Sequence, residues 1–351
     1  MAAERWEPDA FKTRVDEVLR PFVATEAHLL TAVDPLLGPV ADAVEAAVAT
    51  GKRLRAAFCY WGWRASGQPD HDAAVRAAAS MELVHAAAVV HDDLIDDSPL
   101  RHGRPTAHTA LRDAVPHHPH TVGAARSLAM LSGDLLMSLA GQLFVTSGLP
   151  AAYLARARPL WASLARDLIA GECLEILHTG TAPDTATSLK VIRYKTAKYT
   201  VEHPLLIGAH LAGAGERFHE RCSAYALPLG EAFQLRDDLL GLFGDPELTG
   251  KAGADDIRGH RPTALLAETW RLAGDEERGR LRALLADGDP DEDRLDAVRA
   301  TMRRLTAPER VEVMIAERVD SALHALAELN PPAPARAALT ALAHSAAVRR
   351  S

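Results

Sequence analysis

The stretch "MELVHAAAVVHDDLIDDSPLRHG" (Met81 to Gly103) decides the first interpretation of this chain, because a core-like apolar segment runs directly into four aspartates. An arginine, Arg101, follows the aspartates within a few residues. On a helix, Asp92 and Asp96 share one face, where their like charges repel each other. A solvated acidic helix end and a Mg²⁺ site both fit this pattern, since Mg²⁺ is bound through carboxylates together with substrate phosphates.

The composition of the chain suits long helices. With 351 residues it exceeds the usual size of one compact core, so two domains are the default expectation. The net charge of -8 gives no basic surface, so a nucleic-acid partner is not expected. The three cysteines are not in CxxC spacing, which argues against a disulfide framework or a zinc site. No apolar run approaches the roughly 20 residues needed to cross a bilayer, so we predict a cytoplasmic protein that is not an integral membrane protein.

Apolar residues recur at helical spacing almost without interruption. Glycine- and proline-containing breakers separate the segments, and neither an alternating strand pattern nor a low-complexity linker is present. We therefore predict an all-α fold in a single large domain, residues 1–351. The predicted helices cover 8–31, 35–49, 52–66, 72–97, 105–114, 122–147, 151–178, 187–212, 216–243, 261–273, 275–286, 291–304, 307–328 and 335–349.

A second acidic pair changes how the first is interpreted. The stretch "FQLRDDLLGLFGD" (Phe233 to Asp245) carries Asp237 and Asp238 at the end of another apolar helix. Two such pairs on separate helix ends can hold a small cluster of Mg²⁺ ions around one diphosphate. Asp245 lies two turns beyond Asp237 and is a candidate for an additional contact.

Basic residues supply candidate sites for anions. "TGKRLRA" (Thr50 to Ala56) places three cations at a predicted helix start, where the helix dipole disfavours them unless an anion lies among them. His85 lies two turns before Asp92 on the same helix face, although a histidine on an apolar face is more often a core residue. "RYKTAKYT" (Arg193 to Thr200) is either a solvated face or a phosphate site. The residues suggest two anion sites, one with metal plus Arg101, Lys195 and Gln234, and one without metal built from Lys52, Arg55 and His85.

With these motifs in place, the chain resembles the trans-type isoprenyl diphosphate synthases, the polyprenyl synthetase family, over roughly residues 20–350. The resemblance rests on "GKRLRA", "ELVHAAAVVHDDLIDD", "LRHGRPT", "RYKTAKYTVEHPL" and "FQLRDDLLGLFGDPELTGK" in this order, and is strongest to bacterial geranylgeranyl diphosphate synthases. It implies the isoprenoid synthase type I fold, with antiparallel helices around a central cavity, and a homodimer. It also implies Mg²⁺-dependent head-to-tail addition of isopentenyl diphosphate to an allylic diphosphate.

The resemblance assigns a role to each motif by position. The metal ligands are expected to be Asp92, Asp93, Asp96, Asp237 and Asp238. The allylic diphosphate is expected to bind Arg101, Lys195, Thr196 and Gln234. Isopentenyl diphosphate is expected to bind Lys52, Arg55, His85 and His102. Arg53 and Arg261 are further expected substrate-binding residues.

The chain departs from the family pattern at four of its positions. His102 replaces a second arginine, and neutral imidazole binds diphosphate less well than guanidinium does. Gly241 replaces the last aspartate of the second motif. Arg261 stands where the family has lysine, and Glu172 stands where it often has glutamine.

Small residues before the first acidic cluster are the best clue to product length. Ala88 and Ala87 lie four and five positions before Asp92, where farnesyl-producing relatives often carry an aromatic side chain. The absence of that aromatic opens about one helical turn, roughly 5.4 Å. With Val84 and Met81 deeper on the helix, we predict geranylgeranyl diphosphate, with a product of C25 or longer, or farnesyl diphosphate, as alternatives. The alternative is that these alanines serve close helix packing and that facing helices set the floor of the tunnel.

Two other function classes share parts of this pattern. A class I terpene cyclase has the helical fold and the first acidic motif, but it needs no site for a second diphosphate. A non-catalytic subunit that binds a synthase partner needs no acidic motif. Turnover that depends on isopentenyl diphosphate separates the first alternative from a synthase, and activity of the purified chain alone separates the second.

Overall fold

The structure is a computed structural model that describes residues 6–101, 103–244, 255–286 and 291–347. These residues form helices and one two-stranded β-ribbon. The chain divides into two compact units, each assembled from separate stretches. The first unit contains the described residues up to Arg158, with Pro204–Ala214 and Pro332–Ala335. The second contains the described residues of Pro159–His203, Gly215–Pro331 and the stretch from Arg336 onward. The single-domain organisation stays a prediction.

The first unit is built around one central helix. Its elements are α1 (Pro8–Val33), a 3₁₀ turn (Pro35–Leu37), α2 (Gly38–Val48), α3 (Leu54–Ala65), α4 (Asp72–Ile95), β1 (Leu100–Arg101), β2 (Arg104–Pro105), α5 (Ala107–Ala114), α6 (Thr121–Val145), the beginning of α7 (Ala151–His178) and most of α9 (His203–Ala212). Helix α4 packs against α1, α2, α3, α5 and α6. It is apolar on nearly all sides, which is the pattern of a helix in the middle of a core.

Helices α3 and α9 cross in backbone contact. A Cβ atom on Gly62 would overlap the carbonyl oxygen of Leu205, and one on Gly208 would overlap the carbonyl oxygen of Cys59. The contact is symmetrical: on each helix, the carbonyl that the other helix's glycine contacts lies three residues before the helix's own glycine. This reciprocal contact requires glycine at both positions, because no other residue leaves room for the facing backbone.

The second unit packs around α10. Its elements are the remainder of α7, α8 (Thr185–Val191), a π-helix (Ile192–Glu202), α10 (Glu216–Phe243), α11 (Asp255–Arg258), α12 (Ala264–Leu272), α13 (Asp275–Leu284), α14 (Glu292–Arg304), α15 (Ala307–Leu329) and α16 (Ala333–Ala347). Buried leucine, isoleucine, valine and methionine side chains from α10, α12, α14 and α15 form one core cluster. Helix α10 also packs along the π-helix, where a Cβ on Gly230 would overlap Ala197.

The helix predictions are largely confirmed, with small shifts at several bounds, a 3₁₀ turn at the start of the predicted helix 35–49 and one short helix, α11, that was not predicted. Helix α3 begins at Leu54 rather than at residue 52. The predicted helix 187–212 contains an eleven-residue π-helix in its middle, because a change in residues per turn leaves little trace in apolar periodicity. A short antiparallel ribbon pairs Leu100 with Pro105, and two-residue strands are too short to show an alternating pattern.

Among the residues that the structure describes, two helices, α4 and α6, are long and apolar enough to cross a membrane by length and composition. The sequence-based expectation rests on uninterrupted apolar runs, and polar residues interrupt the apolar runs of both helices. In the most apolar window of each helix, 78% of α4 and 44% of α6 is buried inside the structure. Since buried core helices meet the same criterion, this is weak evidence for a membrane span.

Candidate active site

The first acidic cluster lies at the carboxyl end of α4. The helix ends at Ile95, Asp96 is the C-cap residue, and Asp97 has a left-handed backbone with φ +53°. Asp93 is buried, with 4% of its surface exposed, whereas Asp92 and Asp96 keep part of theirs. The carboxylates therefore lie at the edge of the first unit, with one of them facing inward.

The β-ribbon brings Arg101 back over this helix end. Its turn includes Gly103, whose φ of +72° is a conformation that favours glycine. Arg101 Nε donates to Asp93 Oδ1 at 2.7 Å, and Arg101 Nη2 donates to Asp92 Oδ2 at 2.8 Å. The predicted proximity of Arg101 to the aspartates is thus present in the structure, and it depends on a ribbon that the sequence did not predict.

The electrostatics of this cluster fit a divalent cation. The pKa of Asp93 is raised to about 6, chiefly by burial; Arg101 opposes this rise, and the charges of Asp92 and Asp96 contribute to it. Crowded carboxylate oxygens are the donor set that Mg²⁺ takes, and a bound cation would relieve their repulsion. Among the residues that the structure describes, no group of three or more His, Cys, Asp or Glu is arranged closely enough to hold a metal ion.

The basic stretch before α3 divides into two kinds of side chain. Lys52 is exposed and Arg55 is partly exposed. Arg53 is 3% exposed, has a left-handed backbone with φ +56°, and donates through Nε to Asp16 Oδ1 at 2.7 Å. The structure therefore places the Arg53 side chain in a buried ion pair, and its role in substrate binding stays a prediction.

His85 lies on the partly exposed face of α4. Burial lowers its pKa well below the usual range, and the positive charges of Arg55 and Arg101 lower it further. The imidazole is therefore neutral at pH 7, so its contribution to an anion site would be a hydrogen bond from its N–H rather than a charge.

The candidate product-length residues divide between the core and the accessible face of α4. Ala87, Val84 and Met81 are buried, with at most 2% of their surface exposed. Ala88 keeps part of its surface exposed and lies between His85 and Asp92 on one face, at spacings of three and four residues. The packing alternative therefore fits Ala87, and Ala88 is the better candidate for contact with a growing chain.

In the second unit, three predicted site residues form one hydrogen-bonded chain. Thr196 Oγ1 donates to Gln234 Oε1 at 2.7 Å, and Gln234 Nε2 donates to Asp238 Oδ1 at 2.9 Å. The backbone N–H of Ala264, at the start of α12, donates to Asp238 Oδ2 at 3.1 Å. The pKa of Asp238 is raised to about 7, chiefly by burial and next by the charge of the nearby Asp256. Asp237, the other predicted ligand of this pair, is partly exposed.

The space beside Gly241 is occupied by an acid that the sequence analysis did not single out. A Cβ at position 241 would lie 3.0 Å from Asp256 Oδ2. Arg261 Nη1 donates to Asp256 Oδ1 at 3.1 Å. The predicted substrate-binding residue Arg261 is therefore paired with this carboxylate. The only signal in the sequence was the acidic pair just before "IRGHRPT", and pairs of this kind are common in solvated loops.

Lys195 is held by two carboxylates from α7. Its Nζ lies 2.9 Å from Glu172 Oε2 and also pairs with Glu175. Gly171 permits this approach, because a Cβ there would overlap the backbone of Lys195. Lys195 and Thr196 both project from the π-helix, a form that is rare and frequent at functional sites. Glu172, the departure from the family pattern, thus contacts the predicted diphosphate-binding lysine directly.

The structure does not describe some of the predicted site residues and arrangements. His102 and Asp245 lie outside the described residues. The convergence of the first unit's carboxylates on Lys195, Gln234 and Asp238 stays a prediction. So do the individual roles of the site residues.

Comparison with known proteins decides the family. Residues 39–302 match the model of the family described as Polyprenyl synthetase. The chain belongs to the polyprenyl synthetase family.

Relatives of this polyprenyl synthetase carry names with different products. The (2E,6E)-farnesyl diphosphate synthase of Mycobacterium tuberculosis (strain ATCC 25618 / H37Rv) is 35% identical over 241 residues, which cover 68% of this chain and 61% of that protein. The match therefore spans less than two thirds of the mycobacterial relative. The heptaprenyl diphosphate synthase component 2 of Geobacillus stearothermophilus is 32% identical over 308 residues, covering 86% of this chain and 88% of the relative.

A solved structure confirms the fold class of this polyprenyl synthetase. The crystal structure of geranylgeranyl pyrophosphate synthase from Corynebacterium glutamicum, complexed with isoprenyl diphosphate and magnesium, superposes with a TM-score of 0.93. The two chains are 31% identical, and the match covers 98% of this chain and 100% of the other. The prediction of an all-α isoprenoid synthase type I fold is confirmed. The product length is not, because the names of the relatives disagree.

Proposed function

We propose that this polyprenyl synthetase is a Mg²⁺-dependent trans-prenyltransferase that adds isopentenyl diphosphate head-to-tail to an allylic diphosphate. One observation carries the proposal: Arg101 pairs with both Asp92 and Asp93 at the end of a buried helix. A cation fixed beside two carboxylates offers both a direct contact and a metal-mediated contact to one diphosphate. The named relatives make prenyl diphosphates of several lengths, which supports the reaction class.

The chain's own residues have distinct roles in this proposal. In this proposal, Asp92, Asp93, Asp96, Asp237 and Asp238 would be the residues that hold Mg²⁺. Bound Mg²⁺ supplies charge neutralisation for the departing diphosphate. The allylic diphosphate is bound by Arg101, Lys195, Thr196 and Gln234, and isopentenyl diphosphate by Lys52, Arg55 and His85.

The reaction needs no general base from these motifs. When the allylic C–O bond breaks, the electron pair leaves with diphosphate, and the alkene of isopentenyl diphosphate then bonds to the resulting carbocation. The proton lost from the new cation passes to the released diphosphate, as the resemblance to the family implies. The protein's part is to orient both substrates and to exclude water from the carbocation.

We further propose geranylgeranyl diphosphate as the main product. The support is the small side chain at Ala88, on the accessible face of α4 between His85 and Asp92. Methionine and valine at positions 81 and 84 are larger, but they are buried in the packing of the unit. A product of C25 or longer remains the second candidate.

A homodimer in the cytoplasm completes the proposal. Helix α6 supports the dimer, because it exposes large apolar side chains that an interface with a second copy would cover: Val122, Met130, Leu131 and Val145. A measured solution mass equal to one chain would contradict the dimer.

The decisive assay uses the purified chain with Mg²⁺, isopentenyl diphosphate and each of the C5, C10 and C15 allylic primers. We expect incorporation that chelation abolishes and that Asp92→Asn lowers by at least a hundredfold. Asp97→Asn is the matched control, because Asp97 lies in the same cluster but pairs with Arg126. Turnover of an allylic diphosphate to a cyclic product without isopentenyl diphosphate would indicate a terpene cyclase instead. A purified chain with no activity until a second subunit is added would indicate the non-catalytic alternative.

A further inference from the structure

The loop that presents Lys52 has an unusual backbone. Residues 49–53 join α2 to α3, with φ +125° at Gly51 and φ +56° at Arg53. A left-handed conformation costs a non-glycine residue roughly 1–2 kcal/mol. A five-residue connection would not hold this shape without interactions that fix it, so the contacts of Arg53 decide where Lys52 lies.

The guanidinium of Arg53 folds back beneath its own loop. Its Nη1 donates to the carbonyl oxygen of Thr50 at 2.8 Å, and its Nη2 donates to that of Val48 at 2.6 Å. Its Nε donates to Asp16 Oδ1 at 2.7 Å. Gly51 packs on the same group, since a Cβ there would lie 3.2 Å from Arg53 Nη1. The Arg53 side chain therefore stabilises this loop conformation through hydrogen bonds to the loop's own backbone.

The carboxylate of Asp16 is what keeps this cation inside the unit. Asp16 lies in the middle of α1 with 6% of its surface exposed, and Lys12 Nζ and Arg20 Nη2 also approach it. Burial raises its pKa, but hydrogen bonds from Lys12 and Arg53 outweigh that effect and the pKa is lowered. A buried guanidinium without its carboxylate is strongly destabilised, so loss of Asp16 would release Arg53 from the loop.

A second carboxylate fixes the other end of the same segment. Helix α3 begins without a side-chain cap from its own N-cap residue. Instead, Glu82 Oε1 accepts from the backbone N–H of Ala56 at 2.9 Å, and Glu82 is 3% exposed. Glu82 lies on α4, three residues before His85. The segment that carries Lys52 and Arg55 is thus anchored at both ends by buried acids.

We propose that Asp16, acting through Arg53, is a positioning residue for isopentenyl diphosphate, with Glu82 as the second anchor. The inference rests on the proposed function, because it takes Lys52 and Arg55 as ligands of that substrate. Asp16 touches neither substrate. It holds the loop so that the two cations are preorganised, and such positioning is worth large factors in binding and rate.

The test compares Asp16→Asn and Arg53→Lys with a matched control, Asp70→Asn. Asp70 is also a partner of an α1 residue, since it accepts from Arg14 at 3.1 Å, but it lies at the opposite end of α3. We expect both loop variants to raise the Kd and KM for isopentenyl diphosphate about tenfold. We expect the KM for the allylic diphosphate to stay within twofold, and all constants of Asp70→Asn to stay within twofold. Binding is measured by calorimetry and the Michaelis constants by radiolabel incorporation.

The outcomes separate the two proposals. A wild-type chain that does not incorporate isopentenyl diphosphate overturns the proposed function and this inference together. An active wild type whose folded Asp16→Asn and Arg53→Lys variants bind isopentenyl diphosphate normally overturns only the inference. Equal losses for both substrates would also overturn it, because they would indicate general destabilisation. If Asp16→Asn does not fold, Arg53→Lys decides the question alone, since it keeps the charge and removes donors to the loop carbonyls.

Discussion

A phenylalanine at position 88 and one at position 87 should have different effects, although the two alanines are neighbours. Ala88 keeps part of its surface exposed on the face of α4 that carries His85 and Asp92, whereas Ala87 has none exposed. An aromatic ring on the accessible face would close about one helical turn, roughly 5.4 Å, which is comparable to one isoprene unit. Ala88→Phe is therefore expected to shorten the main product by one five-carbon unit.

The same ring at position 87 has no space to enter. Inserting a large side chain into a packed core typically costs about 1–3 kcal/mol, because neighbours must leave their preferred rotamers. Ala87→Phe is therefore expected to lower Tm by several degrees and to change product length less than Ala88→Phe does. The sequence alone gives the two alanines the same predicted role, and their different burial in the structure separates them.

The assay measures both properties on both variants. Products made from a C10 primer are dephosphorylated and separated by reversed-phase chromatography, and Tm is followed by circular dichroism. Ala88→Ser serves as the control, because it keeps the side chain small. The reasoning would be refuted by an Ala87→Phe variant that is as stable as wild type and shortens the product while Ala88→Phe does not.

Three further predictions use other contacts. Glu172→Gln removes one carboxylate from Lys195, so the Kd of an unreactive allylic diphosphate analogue should fall about threefold to tenfold in calorimetry; weaker binding would contradict this. Gly208→Ala places a methyl group against the backbone of the crossing helix and should lower the free energy of unfolding, measured in urea, by about 1–3 kcal/mol. The control Gly141→Ala, whose Cβ would have nothing within 4 Å, should not lower it. Burial raises the pKa of Asp167, but hydrogen bonds from a lysine, an arginine and a histidine outweigh it and the pKa is lowered. Its stabilisation is therefore present above the ordinary value of 3.8 and is lost as pH falls below it, so Asp167→Asn should flatten the acid side of the stability profile, and parallel profiles would argue against this.

The helices were predictable because each is long, apolar on a 3.6-residue period and bounded by strong breakers. The observed bounds of α7 (Ala151–His178) and α10 (Glu216–Phe243) agree with the predicted ones at both ends. The π-helix was not predictable, because its hydrogen bonds span only one residue more than those of an α-helix. The ribbon was not predictable, because each of its strands has only two residues. The division into two units had no signal either, since each unit is assembled from stretches far apart in the chain.

The site was predictable in its residue types and less so in their individual roles. Three cations in "GKRLRA" look equivalent in sequence, but backbone conformation and a distant aspartate on α1 turn Arg53 inward. Similarly, Ala87 and Ala88 differ only in which side of a helix they occupy, and neighbouring elements decide which side is accessible. Asp256 comes close to Gly241 through a connection between helices, which no local pattern reports.

The bridge from Arg101 to Asp92 and Asp93 has a consequence for biogenesis. Four aspartates at one helix end would repel each other in a newly made chain, and the arginine that follows them a few residues later supplies a counter-ion from the same polypeptide. This corner of the protein can therefore fold with two of its carboxylates already compensated by a charge from its own chain. Its maturation does not need to wait for the supply of a divalent cation in the cell.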